Sequence, residues 1–145
     1  MTDASSRSTS RADRAAAGAR AEAQAARFLV ARGLTIVARN FRTRHGEIDL
    51  IARDGATLVF VEVRRRASSR FGGAAASITA AKQARWTLAA RAYLARFPVP
   101  PPCRFDAVLL DGPEPPTIDW RRASWLRAGS RSSHATSARA TARST

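Results

Sequence analysis

From residue 34 to residue 65 the chain alternates apolar and polar positions with the period of a strand, interrupted by turn residues. LTIVARNFR, residues 34–42, reads as a first strand. Residues 47–53 and 57–65 read as a second and a third, joined through Asp54-Gly55, a strong hairpin signal. Upstream, residues 13–32 carry abundant alanine, with Ala25, Phe28, Leu29 and Arg32 at helical spacing, and Gly33 supplies the C-terminal stop. Residues 66–77 read as a loop of Ser, Arg and a Gly pair. Residues 78–97 read as a second helix, with Ile78, Ala81, Ala89, Ala92 and Tyr93 among its small or apolar positions, ended by PVPPP. RFDAVLL, residues 104–110, reads as a fourth strand, and a short last strand runs from Thr117 to Trp120. The order α-β-β-β-α-β-β predicts an α/β domain with a central mixed sheet flanked by helices. Residues 1–12 and 128–145 have almost nothing to bury and are expected to be disordered, which leaves residues 13–127 as one domain.

Strand alternation sorts the acids. In the third strand Val59, Val61 and Val63 point one way, and Leu58, Phe60, Glu62 and Arg64 the other. In the second, Ile48, Leu50 and Ala52 share a face opposite Glu47, Asp49 and Ile51. If Asp54 and Gly55 are the two central turn residues, Asp49 faces Phe60 and Glu47 faces Glu62. Glu47, Asp49, Glu62 and Arg64 then converge on one side of the hairpin, since facing residues share a side and diagonal neighbours lie within roughly 8 Å.

Composition makes this cluster unusual. The chain has 145 residues and a formal net charge of +14; of its 25 basic residues only Lys82 is lysine and the other 24 are arginine. A genome biased toward arginine and alanine codons accounts for the choice of base, but the positive surface attracts polyanions whatever its origin, nucleic acid first among them. No apolar run approaches the ~20 residues of a membrane-spanning helix, and the N-terminus has no signal-peptide core. Cys103 is the only cysteine, which excludes an internal disulfide and a cysteine-based metal site. The expected location is the cytoplasm, and the expected partner is nucleic acid rather than a membrane.

Carboxylates that face one another across strands destabilise a sheet unless they are paired or bind a cation. Two arrangements satisfy them here. Arg64 and neighbouring arginines neutralise them in a salt-bridge network, or the acids hold a divalent metal. Magnesium is a hard cation that takes one or two carboxylates plus phosphate oxygens and waters. An acidic metal pocket in a basic protein suits phosphodiester hydrolysis, in which arginines grip the backbone and a metal activates water.

GEIDLIARDG followed by LVFVEVRRR resembles the YraN family of small bacterial proteins, assigned to the restriction-endonuclease-like nucleases. Gly18 and Glu22 on the first helix, Arg39-Asn40-Phe41-Arg42, Phe71-Gly72, Lys82 and Arg104-Phe105-Asp106 match further family positions, although Ala21 stands where a glycine is usual. The likeness covers about residues 18–126. It implies a restriction-endonuclease-like fold and a nuclease motif of one acid in a strand, then acid-x-lysine in the next. Asp49 matches the first acid and Glu62 the second, which makes them the expected ligands of Mg2+ or Mn2+, with Glu22 as a third carboxylate at the edge. The motif's lysine is replaced by Arg64. Arginine can clamp a phosphate with two bonds but stays protonated at any working pH and cannot act as a base. Lys82 is therefore considered as the displaced amine, reaching the pocket from the second helix; the bland alternative is a lysine that survived by chance.

The expected function is a divalent-metal-dependent nuclease acting on DNA, in preference to RNA, or on structured nucleic acid. The alternative is a catalytically weakened nuclease fold that only binds nucleic acid. Asp49, Glu62, Arg64 and Glu22 are the candidate catalytic residues. Arg42, Arg65, Arg66, Arg70 and Lys82 are the candidate nucleic-acid contacts, several of them around the loop that holds Phe71-Gly72-Gly73. The arginines after the third strand would also discourage strand-to-strand aggregation. Trp86, Trp120 and Trp125 are expected to pack in the core or at an edge rather than to stack on bases. Asp106 is expected to pair with Arg104 or support the sheet. A homodimer is compatible with this fold.

Overall fold

A computed structural model describes residues 3–66, 79–123 and 137–141. Its elements in chain order are α1 (Asp3–Ala31), β1 (Thr35–Arg42), β2 (Glu47–Asp54), β3 (Thr57–Arg66), α2 (Ala80–Leu94), β4 (Cys103–Asp111), β5 (Thr117–Ala123) and β6 (Ser137–Thr141). The expected order is present, with one strand more. α1 begins at Asp3 rather than residue 13, so most of the segment expected to be disordered is helix: its Ala, Arg and Ser residues carry no breaker. β6 falls inside the 128–145 tail, where backbone pairing with β5 needs no apolar side chain. The loop expected at 66–77 lies outside the described residues apart from Arg66, which ends β3.

The six strands lie side by side in chain order. β1, β2 and β3 form an antiparallel meander, and β4, β5 and β6 form another. The two join through a parallel β3–β4 pairing that α2 makes possible by carrying the chain back. Both helix ends follow local chemistry. Gly33 adopts φ 92°, and the Leu34 N–H reaches the Leu29 carbonyl at 3.1 Å, closing the end of α1. The Thr79 hydroxyl caps α2 by accepting the Lys82 N–H at 3.2 Å.

The helices cover opposite faces of the sheet. Ala25, Ala26, Phe28 and Leu29 of α1 bury Leu50, Ala52, Val59, Val61, Val108 and Leu110. Trp86, Ala89, Ala90 and Tyr93 of α2 bury Ile51, Leu58, Phe60 and Phe105. Trp86 and Trp120 are core residues, as expected, and Trp125 lies outside the described residues.

Two details of the hairpin differ from expectation. Asp54 pairs with Thr57, so Gly55 (φ 59°) and Ala56 are the central turn residues, and the register moves by two. Because a shift of two preserves the side on which each residue points, the acids still converge. Phe60 however faces Ile51 rather than Asp49. Ile48 also leaves the face expected for it and packs with Ile51 and Phe41 beneath α2. The cause lies across the ladder. Asn40 of β1 takes a left-handed φ of 51°, a conformation that asparagine tolerates better than most residues. The alternation of β1 and β2 reverses there, and the paired Phe41 and Ile48 turn together to the α2 side.

Asp106 is the buried acid of the core, at 2 % exposure. Its carboxylate accepts Arg104 Nε at 3.1 Å and Trp120 Nε1 at 2.9 Å, while Arg104 also reaches Asp54 Oδ2 at 2.9 Å. Burial raises the proton affinity of Asp106, and the Arg104 charge and the Trp120 hydrogen bond oppose that rise. RFD is thus a structural clasp between β2, β4 and β5. Asp106→Ala should cost about 3 kcal/mol in urea denaturation, because it leaves Arg104 Nε and the Trp120 indole N–H without their acceptor. A loss below about 1 kcal/mol would show that the clasp contributes little.

Candidate active site

The site forms where β2 and β3 part. Their backbone ladder runs from Asp54–Thr57 to Leu50–Val61. Beyond it the Asp49 carboxylate takes the place of a backbone carbonyl and accepts the Val63 N–H at 2.9 Å. This fixes Asp49 beside Glu62, where each carboxyl group alters the proton affinity of the other. Glu62 is 14 % exposed, and Arg64 Nε lies 3.3 Å from its Oε1. That Nε is buried and makes no hydrogen bond, so the arginine neutralises charge without being satisfied by it.

Two cavities meet at this point. The larger, of about 470 Å3, is lined by Arg14, Gly18, Glu22, Asp49, Glu62 and Arg64, with Ala17, Ala21, Val63 and Arg65 completing its wall. The smaller, of about 230 Å3, lies toward α2 and is lined by Glu47, Asp49, Glu62, Arg64, Lys82 and Arg85, with Gly46 and Trp86. Asp49, Glu62 and Arg64 belong to both.

Glu22 faces this pair from α1. Burial and the nearby Asp49 raise its proton affinity, and the Asn40 side chain hydrogen-bonds to it. Asn40 thus turns β1 and also ties it to α1. On the other side, Gly46 lets the β1–β2 turn approach α2. A Cβ at Gly46 would lie 3.0 Å from the Arg85 carbonyl oxygen and 3.2 Å from its Cβ. The turn is held by Thr43, whose hydroxyl accepts the N–H groups of His45 and Gly46, each at 3.1 Å. His45 itself is exposed and accepts from Arg44 Nε at 3.1 Å, away from the acids' cavities.

The electrostatics favour a proton on the acid pair. Burial raises Asp49, and the Val63 N–H opposes it. Burial, then the charge of Asp49, pushes Glu62 up to about 9, against the pull of Arg64 and Lys82. At neutral pH Glu62 therefore holds its proton. Lys82 is lowered by partial burial and by the Arg64 charge, with Glu62 pulling the other way.

Six of the nine candidate residues line these cavities. Asp49, Glu62 and Arg64 line both, Glu22 the larger and Lys82 the smaller. Arg65 lies on the larger wall, but its guanidinium is already engaged: Nη1 sits 3.2 Å from Glu114 Oε1 and Nη2 donates to the Gly112 carbonyl at 3.3 Å. Gln24 of α1 donates to the same glutamate at 2.9 Å, so Arg65 tethers the β4–β5 turn to α1. Arg42 is exposed and lies 3.4 Å from Glu47. Arg66 ends β3, and Arg70 lies outside the described residues. Sequence reasoning missed Arg14, Arg85 and the double role of Asn40. Arg14 had a legible signal, since residues 14, 18 and 22 fall on one helical stripe.

The sequence profile of the uncharacterised protein family UPF0102 matches residues 21–110. The chain belongs to this family. Among relatives, a UPF0102 protein of Nitrosomonas europaea is 57 % identical over 105 residues, 72 % of this chain and 89 % of that protein. Another from Paracidovorax citrulli is 56 % identical over 114 residues, 76 % and 82 % of the two chains. A third from Methylobacillus flagellatus is 53 % identical over 100 residues, 69 % and 88 %. The UPF0102 profile spans Glu22, Asp49, Glu62, Arg64 and Lys82 and leaves out Arg14. Among the described residues no helix is long and apolar enough to cross a membrane.

The raised proton affinity of Glu62 gives the site a pH signature. Glu62 binds its proton more tightly folded than unfolded, so its stabilising effect is complete below about 4.5 and fades as pH rises toward about 9. Glu62→Gln should remove that fall, and the gap in melting temperature between the variant and the natural protein should widen from pH 5 to pH 9. A gap that stays constant over that range would contradict the raised proton affinity of Glu62.

Proposed function

We propose that this protein is a divalent-metal-dependent nuclease that hydrolyses phosphodiesters in DNA or structured nucleic acid in the cytoplasm. The observation that carries the reading is the Asp49–Glu62 pair, set at the junction of two cavities lined with arginine and lysine. Apposed acids this poorly hydrated are a standing cost in a structural role, and a cation relieves it.

The donor set fits such an ion. Among the described residues no three His, Cys, Asp or Glu side chains form a metal cage. Magnesium does not need one: it binds through one or two carboxylates and completes its shell with waters and substrate oxygens. Asp49 and Glu62 would hold Mg2+ or Mn2+, with Glu22 near the edge. The ion, when bound, activates water and stabilises the leaving oxygen.

The chain's own residues supply the rest. A cation held by Asp49 and Glu62 would take the place of the proton on Glu62. Arg64 neutralises the acids and presents a guanidinium to a phosphate oxygen. Lys82 offers an amine whose proton is loosened by burial and by Arg64. It orients water, as Arg64 also can, or takes the proton of water, which Arg64 cannot. The second reading, a binding module without catalysis, rests on Arg64 in the lysine position of the motif.

The test is cleavage of labelled single-stranded, duplex and branched DNA with manganese, magnesium or chelator. The natural protein should cut only with metal, and Asp49→Ala with Glu62→Ala should be inactive. Lys82→Arg keeps the charge and should lower kcat by about 100-fold with little change in binding. Equal cleavage by Lys82→Arg would remove Lys82 from the chemistry. Binding without cleavage at every metal would favour the binding module.

A further inference from the structure

α1 is longer than the sheet it covers. Among its described side chains the buried ones begin at Ala21, and residues 10–20 are exposed throughout. From Asp3 to Arg20 the helix runs for about 27 Å at 1.5 Å per residue. A helix that buries no apolar face gains little from packing and is marginal alone in water. This free half carries Arg11 and Arg14 three residues apart, on the stripe that continues through Gly18 to Ala21, Glu22 and Ala25. Arg14 is itself part of the wall of the larger cavity, with Glu22, Asp49 and Glu62. Between Arg14 and Glu22 that wall is made of Ala17, Gly18 and Ala21, small side chains that leave room for a bulky ligand. Arg20 and Arg27 are exposed on the other side of the same helix.

We propose that the free half of α1 is a nucleic-acid-binding arm: Arg11 and Arg14 grip backbone phosphates of the strand that enters the larger cavity toward Asp49 and Glu62. This deepens the nuclease reading and rests on it. The occupant follows from charge, since the arm ends in guanidinium groups that have no ion pair or hydrogen bond to other described residues. Spacing sets the footprint. Arg14 lies about 12 Å and Arg11 about 16 Å along the helix from Glu22. A stacked strand advances about 3.4 Å per nucleotide, so the arm holds phosphates roughly three to five nucleotides from the carboxylates. Phosphate contacts of this kind fix register and carry no base preference.

The experiment measures binding of a labelled 20-nucleotide single strand in chelator, where no cleavage competes, over a series of salt concentrations. Each phosphate contact contributes about 0.7 to the slope of log affinity against log salt for a single strand. Arg11→Ala with Arg14→Ala should reduce that slope by about 1.4 and weaken binding several-fold at low salt. Arg20→Ala with Arg27→Ala removes the same charge from the opposite side and should leave the slope unchanged. Alanine preserves helix propensity, and circular dichroism checks that α1 persists. Equal slopes for the Arg11/Arg14 variant and the natural protein overturn the arm, as does an equal loss in both double variants. Cleavage with manganese is read separately: a protein that binds with the predicted slopes but does not cut defeats the nuclease reading and leaves the arm standing.

Discussion

The Asp49 carboxylate accepts the Val63 N–H where the backbone ladder between β2 and β3 stops, and the site depends on that substitution of side chain for main chain. A buried N–H left unpaired there would cost free energy, so the strands can part only if another acceptor is supplied. Asp49 supplies it and is immobilised in doing so. Glu62, the residue before Val63, is thereby fixed beside it, and the opening between the strands becomes the place where two cavities meet. Asn40 completes the device from the neighbouring strand, by turning β1 through a left-handed residue and by hydrogen-bonding to Glu22.

The two acids are close because the fold holds them there, and their electrostatics record the resulting strain. Burial raises both, the charge of Glu47 adds to the rise at Asp49, and the charge of Asp49 adds to the rise at Glu62. The surrounding charge is arranged to match. Arg64 sits against Glu62 without a hydrogen bond at its Nε, Lys82 faces the pair from α2, and Arg14 approaches from α1. Arg65 shows that sequence neighbours can diverge in role: one residue along β3 reverses the side, and its guanidinium is spent on Glu114 and Gly112.

The hairpin shows which kinds of inference survive an error. Asp54-Gly55 identified the turn, but the central pair is Gly55-Ala56, so individual partners changed while the convergence of the acids did not. Parity is robust to a two-residue shift, and a named contact is not. The misplaced face of Ile48 had a different origin, a backbone angle at Asn40 on another strand, which no pattern within β2 could reveal. The extents of α1 and β6 were missed because the added residues are Ala, Arg, Asp, Ser and Thr, with no periodic large apolar positions from which a segment boundary could be drawn.

The sequence by itself determined the α/β order, the core strands and the gathering of Asp49, Glu62 and Arg64, because strand periodicity and turn chemistry are local properties of the chain. It also identified the departure at Arg64 and singled out Lys82. Only the tertiary structure decided that Lys82 and Arg64 share a cavity, that Arg65 is tied away from it, that Asp106 is a core clasp, and that Arg14 approaches the carboxylates. Those outcomes depend on how helices lie across a sheet and on which distant atoms satisfy a charge. Neither is encoded in the spacing of residues along one element.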